Sequence, residues 1–305
     1  MMKKVQVIMH GRHEHSTLWL SNLKKWKSIA KYQISVAYTK YAGHAIQLVI
    51  NSMLEKPDVL VAAGGDGTLN ECVNGYMRAQ AEIPMTFLAM GTGNDFVKTL
   101  HQKGQWTEVH QLIEENNQEN VDIGHLQLIG LDGYPQQRYF INVADIGLGG
   151  EVVQKIAKSK RRLGPFITYQ KAIISSLIPY KQWMVEFELD DLRFKEPTLM
   201  LAMANAKWFG SGLGIAPTAN LQDGLFDIIH MGKITLLDYL QQLPKVKKMK
   251  VLKHPAIHYY RAATIKVTTA HLPIDCDGEF IGFTPLKCEI IHSRLKLLTR
   301  KKESL

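Results

Sequence analysis

The glycine-rich segment Gly64–Thr68, which reads Gly-Gly-Asp-Gly-Thr, constrains the fold of this chain more than any other feature. It directly follows the apolar run Asp58–Ala63, which is typical of a buried parallel strand, and it precedes a helical pattern over Leu69–Met77. Glycines let the backbone approach a bulky anion, and the free N–H groups at a helix N-terminus attract phosphate. The segment therefore predicts a phosphate-binding loop at the carboxyl end of a strand.

Two side chains of this segment suit a nucleotide site. The carboxylate of Asp66 would repel phosphate unless a divalent cation lay between the two. The hydroxyl of Thr68 is able to donate to a phosphate oxygen or to cap the helix. The alternative is a tight strand-to-helix turn with an aspartate cap, but three glycines are more than such a turn requires.

A second glycine-rich loop, Gly91–Phe96, follows the strand pattern Phe87–Met90. Because adjacent parallel strands end at the same edge of a sheet, the two loops together predict one phosphate site. Asn94 and Asp95 are also suited to cap the next helix. Other nucleotide signatures are absent from the sequence: it has no GxxxxGK(S/T), no GxGxxG after the first strand, and no kinase HRD or DFG triplet.

Strand and helix patterns alternate up to about residue 120, which predicts a doubly wound α/β domain. Strand patterns dominate the rest of the chain, and the clearest helical patterns there are Phe166–Leu177 and Thr235–Leu243. The second half therefore predicts an antiparallel β domain, either a sandwich or two stacked sheets. Its strand patterns lie over Val121–Ile129, Arg138–Ile146, Trp183–Leu189, Thr198–Asn205, Leu225–His230, Ala256–Tyr260, Thr264–Thr269 and Leu286–His292.

Composition narrows the class of protein. Apolar residues make up 46% and charged residues 21% of the 305 residues, which predicts a folded core and excludes fibrous and disordered classes. No apolar run approaches the roughly 18 residues of a membrane-spanning helix, and the N-terminal segment does not resemble a signal peptide. We therefore expect a cytoplasmic protein. Three cysteines without a CxxC pair predict buried thiols rather than disulfides.

The net charge of +9 favours an anionic partner such as a nucleotide, a nucleic acid or an acidic membrane surface. No motif of aromatic and basic residues supports nucleic acid, so we expect none to bind. Any single basic cluster is also explained as a solvated face. The clusters lie over Lys158–Arg162, Lys245–Lys253 and Lys296–Lys302.

Four motifs, taken in order, resemble the bacterial diacylglycerol kinase catalytic-domain family. They are Gly64–Asn70, Gly91–Phe96, Asp223–Asp227 and Asp277–Glu279, and the resemblance covers nearly the whole chain. This family consists of soluble lipid kinases that are related to sphingosine kinases, NAD kinases and 6-phosphofructokinases. The combination of all four motifs favours the lipid-kinase branch.

The resemblance implies two domains. Residues 1–120 would form the α/β nucleotide-binding domain, of the 6-phosphofructokinase and NAD kinase type, and residues 293–305 would rejoin it. Residues 121–292 would form an antiparallel β-sandwich that receives the lipid. This expectation agrees with the strand and helix patterns of the two halves.

The resemblance also implies an ATP site with Mg²⁺ beside Asp66. Thr39 matches a family element of the form TxxxGxA, although a polar residue at a helix N-terminus explains it equally. The residues implied to bind ATP are Thr39, Gly64, Gly65, Asp66, Gly67, Thr68, Leu69, Asn70, Thr92 and Asn94.

Glu279 matches the family's proton acceptor, which activates the lipid hydroxyl, and Asp277 would orient it or help to hold metal. Asp275, Asp277 and Glu279 alternate, so a strand would place all three on one face. Their mutual repulsion would then raise the pKa of a carboxyl group, which suits a general base. A tight Asp-Gly turn is the alternative, and it would break the alternation.

A second magnesium site is implied at Asp223, with the backbone carbonyls of Asn220 and Leu225 as further ligands. Oxygen ligands suit a hard cation. A plain Asp-Gly hairpin turn explains these residues nearly as well.

The loop His10–His15 departs from the family, which usually has Asn-Pro and a Ser/Gly-rich turn after its first strand. Whether this loop contacts nucleotide is therefore open. Its histidines suggest a metal site less strongly than an exposed loop, because they lack a recognisable set of partner ligands.

These observations predict an ATP- and Mg²⁺-dependent lipid kinase of phospholipid metabolism that converts diacylglycerol or a related lipid to phosphatidic acid. The alternatives are a kinase of a soluble metabolite such as NAD and a non-catalytic lipid-binding regulator on the same scaffold. The identity of the lipid and the formation of a homodimer stay open.

We expect the protein to act peripherally at the inner face of the membrane, on an anionic lipid surface. Five lysines of the segment Lys245–Lys253 alternate with apolar residues, which would enter the interface. The alternative is a helix that packs its apolar face on the β domain and only solvates its lysines. The apolar residues are Leu243, Val246, Met249, Val251 and Leu252.

Overall fold

The computed structural model describes residues 2–158, 164–180 and 182–301. The chain divides into two compact units, one formed by Met1–Val121 with Ser293–Leu305 and the other by Asp122–His292. Lys160, Arg161, Arg162 and Lys302 of the predicted basic clusters lie outside the described residues.

The first unit is built on a parallel sheet. Its strand order is β2-β1-β3-β4, and the end of β17 adds a parallel strand beside β4 through Leu297 and Met85. The elements are β1 (Lys3–Met9), α1 (Thr17–Lys27), β2 (Tyr32–Tyr38), α2 (His44–Ser52), β3 (Val59–Gly64), α3 (Asp66–Arg78), β4 (Met85–Ala89), α4 (Asp95–Thr99), α5 (Trp106–Glu115), the start of β5 (Gln118–Gly130) and the end of β17 (Glu279–Leu298).

Burial explains why this unit folds as predicted. Every residue of β3 is buried, as a central strand of a parallel sheet requires. Trp106 of α5 packs against Trp26 and Trp19 of α1, with ring centroids 4.0 and 5.7 Å apart. On the other pair of helices, a Cβ atom at Gly75 would lie 2.7 Å from the Ile46 carbonyl, so this glycine lets α3 pack closely on α2.

The strand order reverses between β1 and β3. The chain passes from β1 outward to β2, then returns across β1 to β3 and on to β4. Ligands of open α/β sheets bind at such a switch point, beside the carboxyl ends of the strands. The loops that follow β1, β3 and β4 are therefore the expected position of a ligand.

The second unit has two β layers, as the sequence predicts. One contains the antiparallel order β14-β13-β10-β7-β16-β17, and the other contains the hairpins β5-β6 and β8-β9 together with β15. Its elements after β5 are β6 (Pro135–Phe140), β7 (Val143–Gly147), α6 (Leu148–Lys158), α7 (Pro165–Leu177), β8 (Trp183–Leu189), β9 (Leu192–Thr198), β10 (Met200–Ala204), β11 (Trp208–Phe209), β12 (Leu213–Gly214), β13 (Phe226–Met231), α8 (Leu236–Lys247), β14 (Ile257–Ala262), β15 (Thr264–Val267), β16 (Pro273–Cys276) and β17.

Two apolar cores hold the second unit. One fills the sandwich and includes Phe140, Phe187 and Phe226. The other joins the opposite face of the sheet to the helices α6, α7 and α8, with Tyr169 and Ile173 of α7 among its buried residues. The fold class is confirmed: a doubly wound α/β unit and a β-sandwich unit, the latter with a helical layer.

The second unit departs from the sequence prediction at two places. Helix α6 was not expected, because its first turn begins Leu-Gly-Gly and glycine disfavours helix. The single strand predicted over Arg138–Ile146 is two strands, because the chain bends at Ile141 and Asn142. The three cysteines are free and buried, as expected.

Candidate active site

The two glycine-rich loops of the first unit lie against each other. A Cβ atom at Gly91 would stand only 2.5 Å from Cα of Gly65. The two backbones are therefore in direct contact, and there is no space for a side chain between them. The N–H group of Met90 donates to the Gly64 carbonyl at 2.6 Å, which joins the ends of β3 and β4. Backbone exposed by paired glycines gives phosphate direct access to N–H groups.

Asp66 lies in the first turn of α3, where backbone N–H groups have no acceptor within the helix. One of its carboxylate oxygens accepts a hydrogen bond from the N–H group of Phe96 at 3.3 Å, which ties the second loop to the first. A carboxylate is the kind of oxygen ligand that Mg²⁺ prefers, and the helix N-terminus beside it favours the phosphate. The residues present at this loop therefore fit a phosphate-bound cation.

The other predicted ATP residues of these loops divide into two groups. The side chains of Thr68, Leu69 and Asn70 are buried, and Asn70 accepts a hydrogen bond from the Asn74 amide at 3.2 Å. Their side chains therefore shape α3 rather than line an open surface. Gly67 is half-buried and Thr92 is exposed.

Asn94 closes the second loop. Its side-chain amide donates to the Gly91 carbonyl at 3.0 Å and accepts from the Gly91 N–H group at 3.1 Å. Asn94 has a φ of 49°, a left-handed conformation that asparagine tolerates. The structure thus uses Asn94 to fix the conformation of Gly91.

The loop after β1 completes this edge of the sheet. Its Gly11 N–H group donates to the Thr39 hydroxyl at 3.0 Å, so Thr39 anchors the loop. A Cβ atom at Gly11 would lie 2.1 Å from the Thr39 carbonyl, which only glycine permits. Arg12 donates to the Met90 carbonyl at 3.5 Å, next to the second glycine loop.

The sequence analysis considered only the histidines of this loop and did not single out Arg12.

The histidines of the loop are affected by this arginine. Burial and the neighbouring Arg12 charge lower the pKa of both His10 and His13. In the part of the chain that the structure describes, no group of three His, Cys, Asp or Glu side chains is arranged to hold a metal ion. The loop therefore contributes a guanidinium to this edge of the sheet.

In the second unit, Glu279 follows a tight turn. Asp277 and Gly278 have φ values of 51° and 86°, and Cys276 pairs with Glu279 across the turn. This is the two-residue hairpin turn that Asp-Gly favours. The expectation that Asp275, Asp277 and Glu279 share one strand face is therefore wrong, because the turn interrupts the alternation.

The carboxylate of Asp277 holds this turn on the start of β7. It accepts three backbone hydrogen bonds, from the N–H groups of Ile141, Asn142 and Val143 at 3.0, 3.0 and 3.1 Å. Its own N–H group donates to the Val143 carbonyl at 3.0 Å. Asp277 thus orients the segment that carries Glu279.

Glu279 pairs with an arginine that the sequence reasoning missed. The Arg138 guanidinium donates to its carboxylate at 2.6 Å, and Arg138 is more deeply buried than Glu279. A charge-assisted bond of this length fixes the carboxylate in direction. The signal in the sequence was a lone arginine in strand β6, which has no motif of its own.

Asp275, just before the turn, is buried with a second acid. Strands β7 and β16 place Asp145 directly opposite Asp275, and these two residues are 0% and 2% exposed. Burial raises the pKa of Asp145 to about 7, and burial together with the Asp145 charge raises the pKa of Asp275. The sequence analysis expected mutual repulsion to raise the pKa of one acidic residue in Asp275–Glu279. In the structure burial raises the pKa of Asp275 most, and repulsion from Asp145 raises it further.

We expect this pair to make stability fall as pH rises. A carboxyl group whose folded pKa is raised contributes its full stability below about pH 4 and loses it as pH passes through the folded value, which for Asp145 is about 7. Asp145→Asn should therefore flatten the decline in melting temperature between about pH 4 and the folded value of about pH 7. Differential scanning calorimetry would show it, with exposed Asp191→Asn as the control. Equal pH slopes in the wild type and Asp145→Asn would contradict the prediction.

The predicted second magnesium site lies in the loop before β13. One oxygen of Asp223 accepts from the Leu225 N–H group at 3.1 Å, and the other pairs with Arg261. The Asn220 side chain accepts from the Gln222 N–H group at 3.2 Å. A guanidinium already balances the carboxylate of this loop. The assignment of a cation there stays a prediction, and no step of the reaction depends on it.

Asp122 belongs to the same region and was also missed. It is fully buried, accepts from the Gly224 N–H group at 2.8 Å, and faces the His292 ring at 2.8 Å. Its sequence neighbours form no motif, so only the fold brings it beside Asp223.

Comparisons with known proteins assign both units to families. Residues 4–126 match the family model of the diacylglycerol kinase catalytic domain. Residues 142–299 match the YegS C-terminal NAD kinase beta sandwich-like domain.

Whole-chain relatives carry the same description. A diacylglycerol kinase of Staphylococcus saprophyticus is 31% identical over 261 residues, which are 84% of this chain and 81% of that protein. One of Staphylococcus carnosus is 28% identical over 275 residues, which are 89% of this chain and 86% of the relative. The crystal structure of a diacylglycerol kinase from Bacillus anthracis shares the fold, with a TM-score of 0.70, 20% identity, and 98% and 97% coverage of the two chains.

Proposed function

This chain belongs to the diacylglycerol kinase family, and we propose that it transfers the terminal phosphate of ATP to the hydroxyl of a diacylglycerol or a closely related lipid. The product of that reaction is phosphatidic acid or its analogue. The observation that carries the proposal is the close approach of Gly65 and Gly91, which exposes two backbone segments at the carboxyl ends of β3 and β4, next to the switch point between β1 and β3. Such a site suits the phosphates of a nucleotide.

The first unit would bind the donor. N–H groups of the first turn of α3 and of the Gly91 loop would contact phosphate oxygens, and Arg12 would add positive charge beside them. Asp66 would hold Mg²⁺, which when bound supplies the neutralisation of phosphate charge that this transfer needs.

The second unit would supply the base. Glu279 would accept the proton of the lipid hydroxyl as that oxygen attacks phosphorus. Asp277 would hold the turn through its three backbone bonds, and Arg138 would keep the carboxylate pointed in one direction. Phosphoryl transfer requires mainly positioning and charge neutralisation, so this small set of groups suffices.

The proposal is tested by incubating the protein with labelled ATP, Mg²⁺ and vesicles of total membrane lipid, and identifying the labelled product. We expect label in phosphatidic acid. Label in a soluble acceptor such as NAD, independent of vesicles, would favour the alternative of a metabolite kinase. Stoichiometric lipid binding without turnover would instead indicate a non-catalytic lipid-binding protein.

Docking on an anionic lipid surface is the second part of the proposal. In the described residues no helix is long and apolar enough to cross a bilayer. The five lysines of Lys245–Lys253 are exposed, and Lys247 also lies 4.0 Å from the Phe166 ring centroid. Cationic side chains of this kind attract anionic lipid.

Most apolar neighbours of those lysines pack inward, as in the alternative of a helix packed on the β domain. Leu243 and Val246 pack against the core, and Leu252 is buried, whereas Val251 is 47% exposed. The exposed apolar residues of α8 are instead Leu237 and Leu240, which are 63% and 48% exposed. We propose that these two leucines, with the lysines, contact the interface.

Replacing the five lysines by glutamine should weaken vesicle binding at least tenfold, since each lysine contributes about 1 kcal/mol near an anionic surface. Co-sedimentation with anionic vesicles at low salt measures the effect, and raising the salt should weaken binding of the wild type. A variant that loses five exposed lysines elsewhere is the matched control. Equal loss in both variants would assign the effect to net charge alone. The test variant changes Lys245, Lys247, Lys248, Lys250 and Lys253, and the control changes Lys24, Lys25, Lys27, Lys56 and Lys103.

A further inference from the structure

We propose that Asp145 and Asp275 form a buried carboxyl pair that positions Glu279 through the backbone of the preceding turn. The inference rests on the proposed function, in which Glu279 is the base. Both acids lie outside the motifs that identify the kinase, and neither touches the catalytic carboxylate by its own side chain in the contacts described above. They are positioning residues.

The register of the sheet brings the two acids together. Ile146 pairs with Ile274 and Ala144 with Cys276, so Asp145 and Asp275 are direct cross-strand neighbours. Side chains at such positions have Cβ atoms about 5 Å apart and point to the same face. The helix that follows β7 leaves room for the pair, because a Cβ atom at Gly149 would lie 1.9 Å from an Asp145 oxygen.

Two charged carboxylates do not persist side by side in a site without water, so at least one carries a proton. Among the described residues, none of the side chains found to act on the pair is a cation. Tyr180 lies near Asp145, and Asp277 and Glu279 of the turn segment act on Asp275. The N–H group of Gly150 partly stabilises a charge on Asp145. Apart from this weak contact with Gly150, which lacks standard hydrogen-bond geometry, neither Asp145 oxygen has a hydrogen-bond partner among the donors of the described residues.

Asp275 connects the carboxyl pair to the turn through a hydrogen bond. Its carboxylate accepts a hydrogen bond from the Gly278 N–H group at 2.8 Å, one residue before Glu279. Asp277 holds the same turn from its other side, on the start of β7. Two carboxyl groups therefore fix the backbone on which Glu279 stands.

The test compares Asp275→Ala with Asp275→Asn. Alanine removes the acceptor for Gly278, whereas the asparagine side-chain oxygen keeps it. We expect Asp275→Ala to lower kcat by about 10- to 100-fold with KM for ATP unchanged, because small displacements of a catalytic group have effects of this size. Asp275→Asn should keep most of the activity, a rescue that general loss of stability would not produce.

Amide hydrogen exchange of residues 276–280 supplies a readout that needs no activity. We expect faster exchange in Asp275→Ala, and protection close to that of the wild type in Asp275→Asn. A turn that exchanges equally slowly in Asp275→Ala would overturn the inference. Wild-type protein without lipid phosphorylation would refute the proposed function and leave this exchange test intact.

Discussion

Glu279→Gln is expected to lower kcat for lipid phosphorylation by on the order of 10²- to 10⁴-fold, the usual contribution of a general base. Glutamine has nearly the shape of glutamate and can still accept from Arg138, so the turn and the strand should keep their geometry. It is unable to take the proton of the attacking hydroxyl. Steady-state kinetics with vesicle-bound diacylglycerol measures the change, and nucleotide binding should be nearly unaffected.

The matched control is Glu289→Gln. Glu289 lies on the same strand and also pairs with basic groups, Lys287 and His125, but the proposal gives it no part in the reaction. We expect this variant to have a kcat close to that of the wild type. Full activity of Glu279→Gln would remove Glu279 from the mechanism, and a large loss in Glu289→Gln would show that charge changes on the strand act through structure.

Gly91→Ala is expected to weaken ATP binding by about 10- to 100-fold, because hydrogen bonds to charged groups contribute about 1.5–3 kcal/mol each. The added Cβ atom would stand 2.5 Å from Cα of Gly65 and 2.7 Å from Oδ1 of Asn94. The two loops must separate to accept it, and their N–H groups then lose a common phosphate. Isothermal titration calorimetry with ATP and Mg²⁺ measures the affinity.

A graded series makes this prediction specific. A Cβ atom at Gly65 would stand 3.2 Å from Cα of Gly91, so Gly65→Ala should cause a smaller loss of affinity than Gly91→Ala. At Gly232, in the other unit, the added atom would make only ordinary contacts of 3.4 Å and longer, so Gly232→Ala should leave affinity unchanged. The reverse order of effects, or equal affinity in all three variants, would argue against the phosphate assignment of the loops.

Local sequence determined the architecture of the first unit and the position of its loops. Three local patterns lie within about twenty residues: the buried run of β3, the glycines after it and the helical pattern of α3. Each of them predicts the backbone conformation of its own segment. Alternating strand and helix patterns also fixed the parallel sheet, since parallel neighbours need a crossover. The second unit was predictable as β structure from its turn residues, but α6 was not, because two glycines weaken its pattern.

Tertiary structure alone decided how the acidic residues are used. The sequence places Asp275, Asp277 and Glu279 at alternate positions, but a two-residue turn gives each a different neighbour. Asp277 receives three N–H groups from a segment more than 130 residues earlier, and Glu279 receives Arg138 at a similar separation.

Asp275 meets Asp145 in the same way, through the register of two strands that no local pattern specifies. A motif determines which chemical groups are present and the local shape of the chain. Burial, partner and charge depend on residues that are distant in sequence, because sheet pairing and packing bring them together only in the folded chain. The sequence by itself therefore located the two glycine loops and, through the family resemblance, the candidate base, and the fold decided what surrounds each carboxylate.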